Sequence, residues 1–133
     1  MNLLLDTHIW LWLLLEPERL RPQIINIVKD RASELWLSPI SVWEVLLLSQ
    51  RGSFRPLGNR TPVEWIDEAL SILPLHDAPL TRQVAVHSHK IRTEHRDPAD
   101  RFLAATASVY DLTLVTNDER LLRGEGYRTL GNR

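Results

Sequence analysis

Along the chain, short unbroken apolar runs alternate with longer stretches of mixed polarity. "NLLL" (2–5), "LWL" (35–37), "ILPL" (72–75) and "TLVT" (113–116) are brief and bounded by polar or turn residues, as strands buried on both faces are. "YRTL" (127–130) has the form of a fifth strand, at an edge. Between these runs the spacing predicts helices over 8–16, 22–32, 39–51, 62–71, 79–92 and 98–110. Their start signals are good. Thr61-Pro62-Val63-Glu64 is a capping box with Pro at the first helical position, and Asp97-Pro98-Ala99-Asp100 has the same form with Asp in both roles. Gly52 after "LSQR" marks a helix C-terminus. "PLTRQVAVHSHKI" sets Leu80, Val84, His87 and Ile91 on one stripe.

Strands alternating with helices imply right-handed crossovers, hence an α/β fold with three layers, α/β/α, around a central and mainly parallel sheet of four to five strands. The 133 residues suit a single domain, 1–133, with one "RGSFRPLGNRTP" connection inside it and no repeat or linker. The longest apolar run, Ile9 to Leu15, is too short to span a bilayer, and Asp6 and His8 interrupt what would be a signal-peptide core. A cytoplasmic protein without membrane contact is expected. The absence of Cys excludes disulfides and thiol chemistry. Net charge is −1, so no overall basic field marks a nucleic-acid partner. Fourteen Arg against two Lys favour bidentate phosphate contacts, although genome composition produces the same bias.

Placed on this frame, the carboxylates converge. Ligands of parallel sheets bind beyond the carboxyl ends of the strands. Asp6 directly follows the first strand, Glu44 lies early in the helix after the second, and Asp118 lies two residues past "TLVT". Asp100 sits in the first turn of the helix that leads into that strand, which puts it at the same edge. Four acids on one rim repel one another unless a cation sits among them. Oxygen ligands without Cys or a His pair suit Mg²⁺ or Mn²⁺ rather than Zn²⁺.

Each acid also has a plainer explanation. Asp6 can cap the helix that follows it, Asp97 can cap the helix at Pro98, Asp100 can answer that helix's dipole, and Asp118 can be a turn residue. Glu44 completes Ser41-x-x-Glu, but Ser38-Pro39 is the better helix start and leaves Glu44 in the second turn without a capping task. His87, His89 and His95 read as surface or core residues.

"LLLDTHIWLW", "SPISVWEV", "HRDPADRFLAATA" and "LVTNDERLL" together resemble the PIN domain, and within it the VapC-type toxins of bacterial toxin–antitoxin pairs. The resemblance spans nearly the whole chain. It implies a Mg²⁺- or Mn²⁺-dependent endoribonuclease whose acidic quartet is Asp6, Glu44, Asp100 and Asp118, accompanied by the polar residues Thr7 and Thr116. It further implies a homodimer, an RNA substrate and a cognate antitoxin received in a groove at which Trp10 or Trp12 is partly exposed. Arg51, Arg55, Arg96 and Arg101 are candidates for RNA or partner contacts. A PIN-like binding scaffold without nuclease activity would show gaps in the quartet; a nuclease of RNA processing outside toxin–antitoxin pairs would keep it whole.

Overall fold

A computed structural model describes residues 1–56, 58–94 and 97–133. Five strands, β1 (Asn2–Leu5), β2 (Glu34–Leu37), β3 (His76–Asp77), β4 (Thr113–Thr116) and β5 (Arg128–Gly131), form one sheet in the order β3-β2-β1-β4-β5. Every pair is parallel; Leu4 lies between Trp36 on one side and Leu114 on the other. The helices are α1 (Thr7–Leu15), α2 (Pro22–Lys29), α3 (Pro39–Gln50), α4 (Pro62–Ile72), α5 (Arg82–Ser88), α6 (Pro98–Val109) and α7 (Glu119–Leu122), with a 3-10 turn at Pro17–Arg19.

Strand alternation divides the interior in two. Leu3, Leu5, Leu35, Leu37 and Val115 face the layer of α1 to α4, where they meet Ile9, Trp10, Ile24, Val45 and Trp65. Leu4 and Leu114 face the opposite layer and meet Val84, Leu103, Ala104 and Leu121. The sheet is therefore covered on both faces, the condition under which a parallel sheet is stable. Among the described residues no helix is long and apolar enough to cross a membrane.

Three expectations shift. "ILPL" is not a strand: α4 runs on through Ile72, and the ladder to β2 begins only at His76, opposite Trp36. Pro74 has no N–H to give a ladder, so pairing starts beyond it. The helix expected from 79 starts at Arg82, because Thr81 Oγ1 accepts from the N–H of Val84 (3.2 Å) and caps it there. The helix expected to reach 32 ends at Lys29, where Asp30 Oδ1 instead accepts from the N–H of Ala32 (2.9 Å) in a local turn. The capping box at Thr61 is present in both directions, and Gly52 ends α3 with a positive φ of 74°.

Candidate active site

The chain leaves β1 for β2 on one side, and β4 returns to β1 on the other. At such a reversal the helices diverge and a crevice opens at the carboxyl ends of the strands. Here it is a cleft of about 320 Å³, lined by Asp6, His8, Trp12, Glu44, Asp97, Asp100, Asn117 and Asp118. All four acids expected at this edge stand around it.

Asp6 ends β1 and caps α1. Its Oδ1 accepts from the N–H of Thr7 and its Oδ2 from the hydroxyl of Thr116, both at 2.7 Å. Only 8% of the residue is exposed. Burial lifts its pKa above the ordinary carboxylate value; the bonds from Thr116 and Thr7 and nearby His8 oppose the rise, and the charge of Asp118 adds to it. Across the same crevice, Asp118 caps α7 by accepting from the N–H of Arg120 (2.8 Å). Its own N–H donates to Thr116 Oγ1 (3.0 Å), so one threonine hydroxyl ties both acids to β4.

Glu44 lies on α3, whose cap is Ser38: the N–H of Ile40 donates to Ser38 Oγ (3.1 Å), and Pro39 takes the first helical position. Glu44 thus falls in the second turn. Thr7 Oγ1 stands 2.8 Å from Glu44 Oε1 and 2.9 Å from Ser41 Oγ. A hydroxyl carries one hydrogen and an ionised carboxylate only accepts. Thr7 therefore donates to Glu44 and accepts from Ser41, whose side chain is wholly buried. Ser41 is not the cap, but it orients the residue that orients Glu44. Asp100 is carried in the first turn of α6, behind Asp97, which accepts from the N–H of Ala99 (2.9 Å).

The other candidate residues separate. Arg101 Nη2 donates to the carbonyls of Ser88 (2.8 Å) and Ile91 (3.1 Å), so its guanidinium closes the end of α5 instead of facing a phosphate. Arg51 and Arg55 are exposed beyond α3 and are not among the described residues lining the cleft. Arg96 and His95 lie outside the described residues. Trp10 is wholly enclosed and packs 5.9 Å from Trp65. Its indole N–H finds no acceptor among the described residues, so its contribution is packing. Trp12 is half-buried and reaches the cleft. His8 and Asn117 line it too, although neither was singled out; the only sequence signal was their position one or two residues from an acid. His87 is bonded to Ser108 Oγ (2.9 Å).

Five carboxylates in one cleft, one of them buried, form a hard oxygen donor set that suits Mg²⁺ or Mn²⁺. Among the described residues no three acid or imidazole side chains are drawn closely enough together, as they stand, to hold a metal ion. The donor chemistry fits a divalent ion.

Known proteins share this sequence family and this fold. The profile of the PIN domain matches residues 3–126. Ribonuclease VapC22 of Mycobacterium tuberculosis is 30% identical over 122 residues, 90% of this chain and 89% of that protein. Among solved structures, VapBC2 of Rickettsia felis bound to a DNA fragment from their promoter superposes with a TM-score of 0.71 at 18% identity, covering 98% of both chains. FitAcB of Neisseria gonorrhoeae superposes with a TM-score of 0.65 at 26% identity, covering 98% of this chain and 97% of that one.

Proposed function

This chain belongs to the PIN-domain family, as a VapC-type ribonuclease toxin, and from that premise we propose that Asp6, Glu44, Asp100 and Asp118 hold Mg²⁺ or Mn²⁺ and hydrolyse RNA in its cleft. The observation that carries this reading is Asp6. A carboxylate buried beside a second acid costs the fold stability in its charged form, a cost that a bound cation would offset and that marks functional sites. A divalent ion, when bound, supplies positive charge to the phosphate and acidifies the attacking water.

The chain's own residues do the rest. Thr7 N–H and the Thr116 hydroxyl hold Asp6 in one rotamer, and the Thr7 hydroxyl aims Glu44. Asp100 and Asp118 approach from the starts of two helices. Water adds to phosphorus as the bond to the leaving ribose oxygen breaks, and no covalent enzyme intermediate forms. The protein is proposed to act as one domain and as a homodimer in the cytoplasm, silenced by a cognate antitoxin that covers the cleft mouth and Trp12.

A panel of single-stranded and structured RNAs, with and without Mg²⁺ or Mn²⁺, tests the reading. Cleavage that needs the metal and disappears in Asp6→Asn and Asp100→Asn is expected. Retained cleavage in both variants would overturn it.

A further inference from the structure

The cleft has to admit a polyanion, yet its lining is mostly carboxylate. Apart from the acids, the described lining offers His8, Trp12 and Asn117. A divalent ion offsets part of this charge at the cut, but the described lining adds no lysine or arginine for the flanking phosphates, so contacts to the bases are a further source of hold on RNA. Stacking on an indole is indifferent to phosphate charge and to base identity, because every base has a π-face.

Trp12 is built for that contact. His8 and Trp12 are four apart on α1 and share a face of the helix, with their rings 5.9 Å apart and tilted by 54°. Both line the cleft, whereas Trp10 is enclosed in the core. The Arg19 guanidinium lies 4.3 Å over the Trp12 ring, a cation–π contact that steadies the indole. Arg19 is itself held. Its side chain pairs with Glu16 (3.1 Å), and its carbonyl accepts from Asn132 Nδ2 (2.9 Å). Asn132 also accepts from the N–H of Arg21 (2.7 Å) and donates its N–H to the carbonyl of Thr116 (3.0 Å). The arm bearing Arg19 is thus fastened to the strand end whose threonine orients Asp6. A tryptophan serving only the core would need neither the cleft face nor the anchored cation.

We propose that Trp12, backed by Arg19, is the stacking platform for a nucleobase beside the scissile phosphate. It is a positioning residue, not a catalytic one, and the inference rests on the ribonuclease reading above. Steady-state cleavage of a short single-stranded RNA taken from the panel, with Mg²⁺, tests it in wild type, Trp12→Phe and Trp12→Leu. The second substrate is the same RNA made abasic at each nucleotide flanking the cut in turn. Trp12→Leu is expected to raise KM about five- to a hundredfold with kcat little changed. Trp12→Phe should recover most of that loss, and the difference should vanish with one abasic substrate. A wild-type KM in Trp12→Leu, a fall in kcat alone, or a penalty that persists on every abasic substrate would overturn the proposal while leaving the nuclease reading intact. Normal RNA cleavage combined with loss of a coexpressed antitoxin would assign Trp12 to the antitoxin and overturn it equally. Should Trp12→Leu fail to fold, or wild type cleave nothing, the same RNA titrated onto the Asp100→Asn protein decides. Quenching of tryptophan fluorescence that is lost in Asp100→Asn/Trp12→Phe supports the platform, and unchanged quenching overturns it.

Discussion

The two walls of the cleft are built in different ways. On one, Asp6 and Glu44 are held by side chains remote in sequence: Thr116, and the Thr7–Ser41 pair. On the other, Asp97 and Asp118 make cap bonds to backbone N–H groups two residues ahead, and Asp100 rides in the first turn of α6. On the first wall Asp6 is buried and Glu44 part-buried, and hydroxyls from other elements fix both, at an electrostatic cost for Asp6. The second is supported by bonds local in sequence, with Asp97 exposed and Asp100 and Asp118 part-buried. On the reading proposed above, a cation would take ligands from both walls.

Several substitutions can break that contrast. The largest effect falls on catalysis, where both walls matter alike: Asp6→Asn and Asp100→Asn should each reduce cleavage to background. In chelator, the same two variants should part company. The native state binds the Asp6 proton more tightly than the unfolded state does, because burial raises the native pKa. Stability contributed by this group is therefore present at low pH and lost as pH rises through the raised value. Melting temperature followed from pH 4 upward should show a fall that Asp6→Asn flattens and Asp100→Asn retains. Equal slopes in both variants would erase the difference between the walls.

Next in size is the hydroxyl relay. Thr7→Val keeps the volume of the side chain but leaves Ser41 and Glu44 without their shared partner. A loss of about 1–3 kcal/mol is expected for the buried Ser41 hydroxyl that loses this partner, with activity down about 10- to 100-fold from a misaimed Glu44. Thr7→Ser should restore both, as read by chemical denaturation and by initial rates. On the wall of α6 and α7 the corresponding change is milder. Asp97→Ala should lower stability by about 1 kcal/mol, while Asp97→Asn, an equally good cap, should leave it near wild type. Smallest of all is a control remote from the metal ligands' chemistry: Ser38→Ala should cost about 1 kcal/mol or less and change kcat by no more than the altered helix start requires. A larger kinetic effect than that of Thr7→Val would mean that helix position, not the hydroxyl relay, aims Glu44.

The same division explains what could be read from sequence. The wall of α6 and α7 was legible because caps are local: Asp97-Pro98 and Asp118 sit where their bonds are made, and Pro39 was likewise enough to choose Ser38 over Ser41 as the start of α3. The placement of all four acids on one edge followed from the order of strands and helices. The fixed wall was not legible in the same detail. Thr7 meets Ser41 and Glu44 across 34 and 37 positions, and Thr116 meets Asp6 across 110, with no periodicity to announce either contact. Asn132 left no signal at all. Trp10 and Trp12 could not be told apart because α1 is apolar on every side, and a helix without a polar face does not say which way it turns. Arg101 looked like a phosphate ligand because a guanidinium serves carbonyl oxygens at a helix end just as readily.

The central place of β1 also has a consequence in time. Its first residues are made early, but its partner β4 spans Thr113–Thr116, and the last of the four acids is Asp118. A chain emerging from the ribosome N-terminus first can pair β1 with β2 and settle α1 to α4 long before either exists. Asp6 then waits without Thr116, and the crevice has only one side. The cleft is completed only once Thr116 and Asp118 have followed, so no nuclease site is present beside the ribosome while the layer of α1 to α4 is being made.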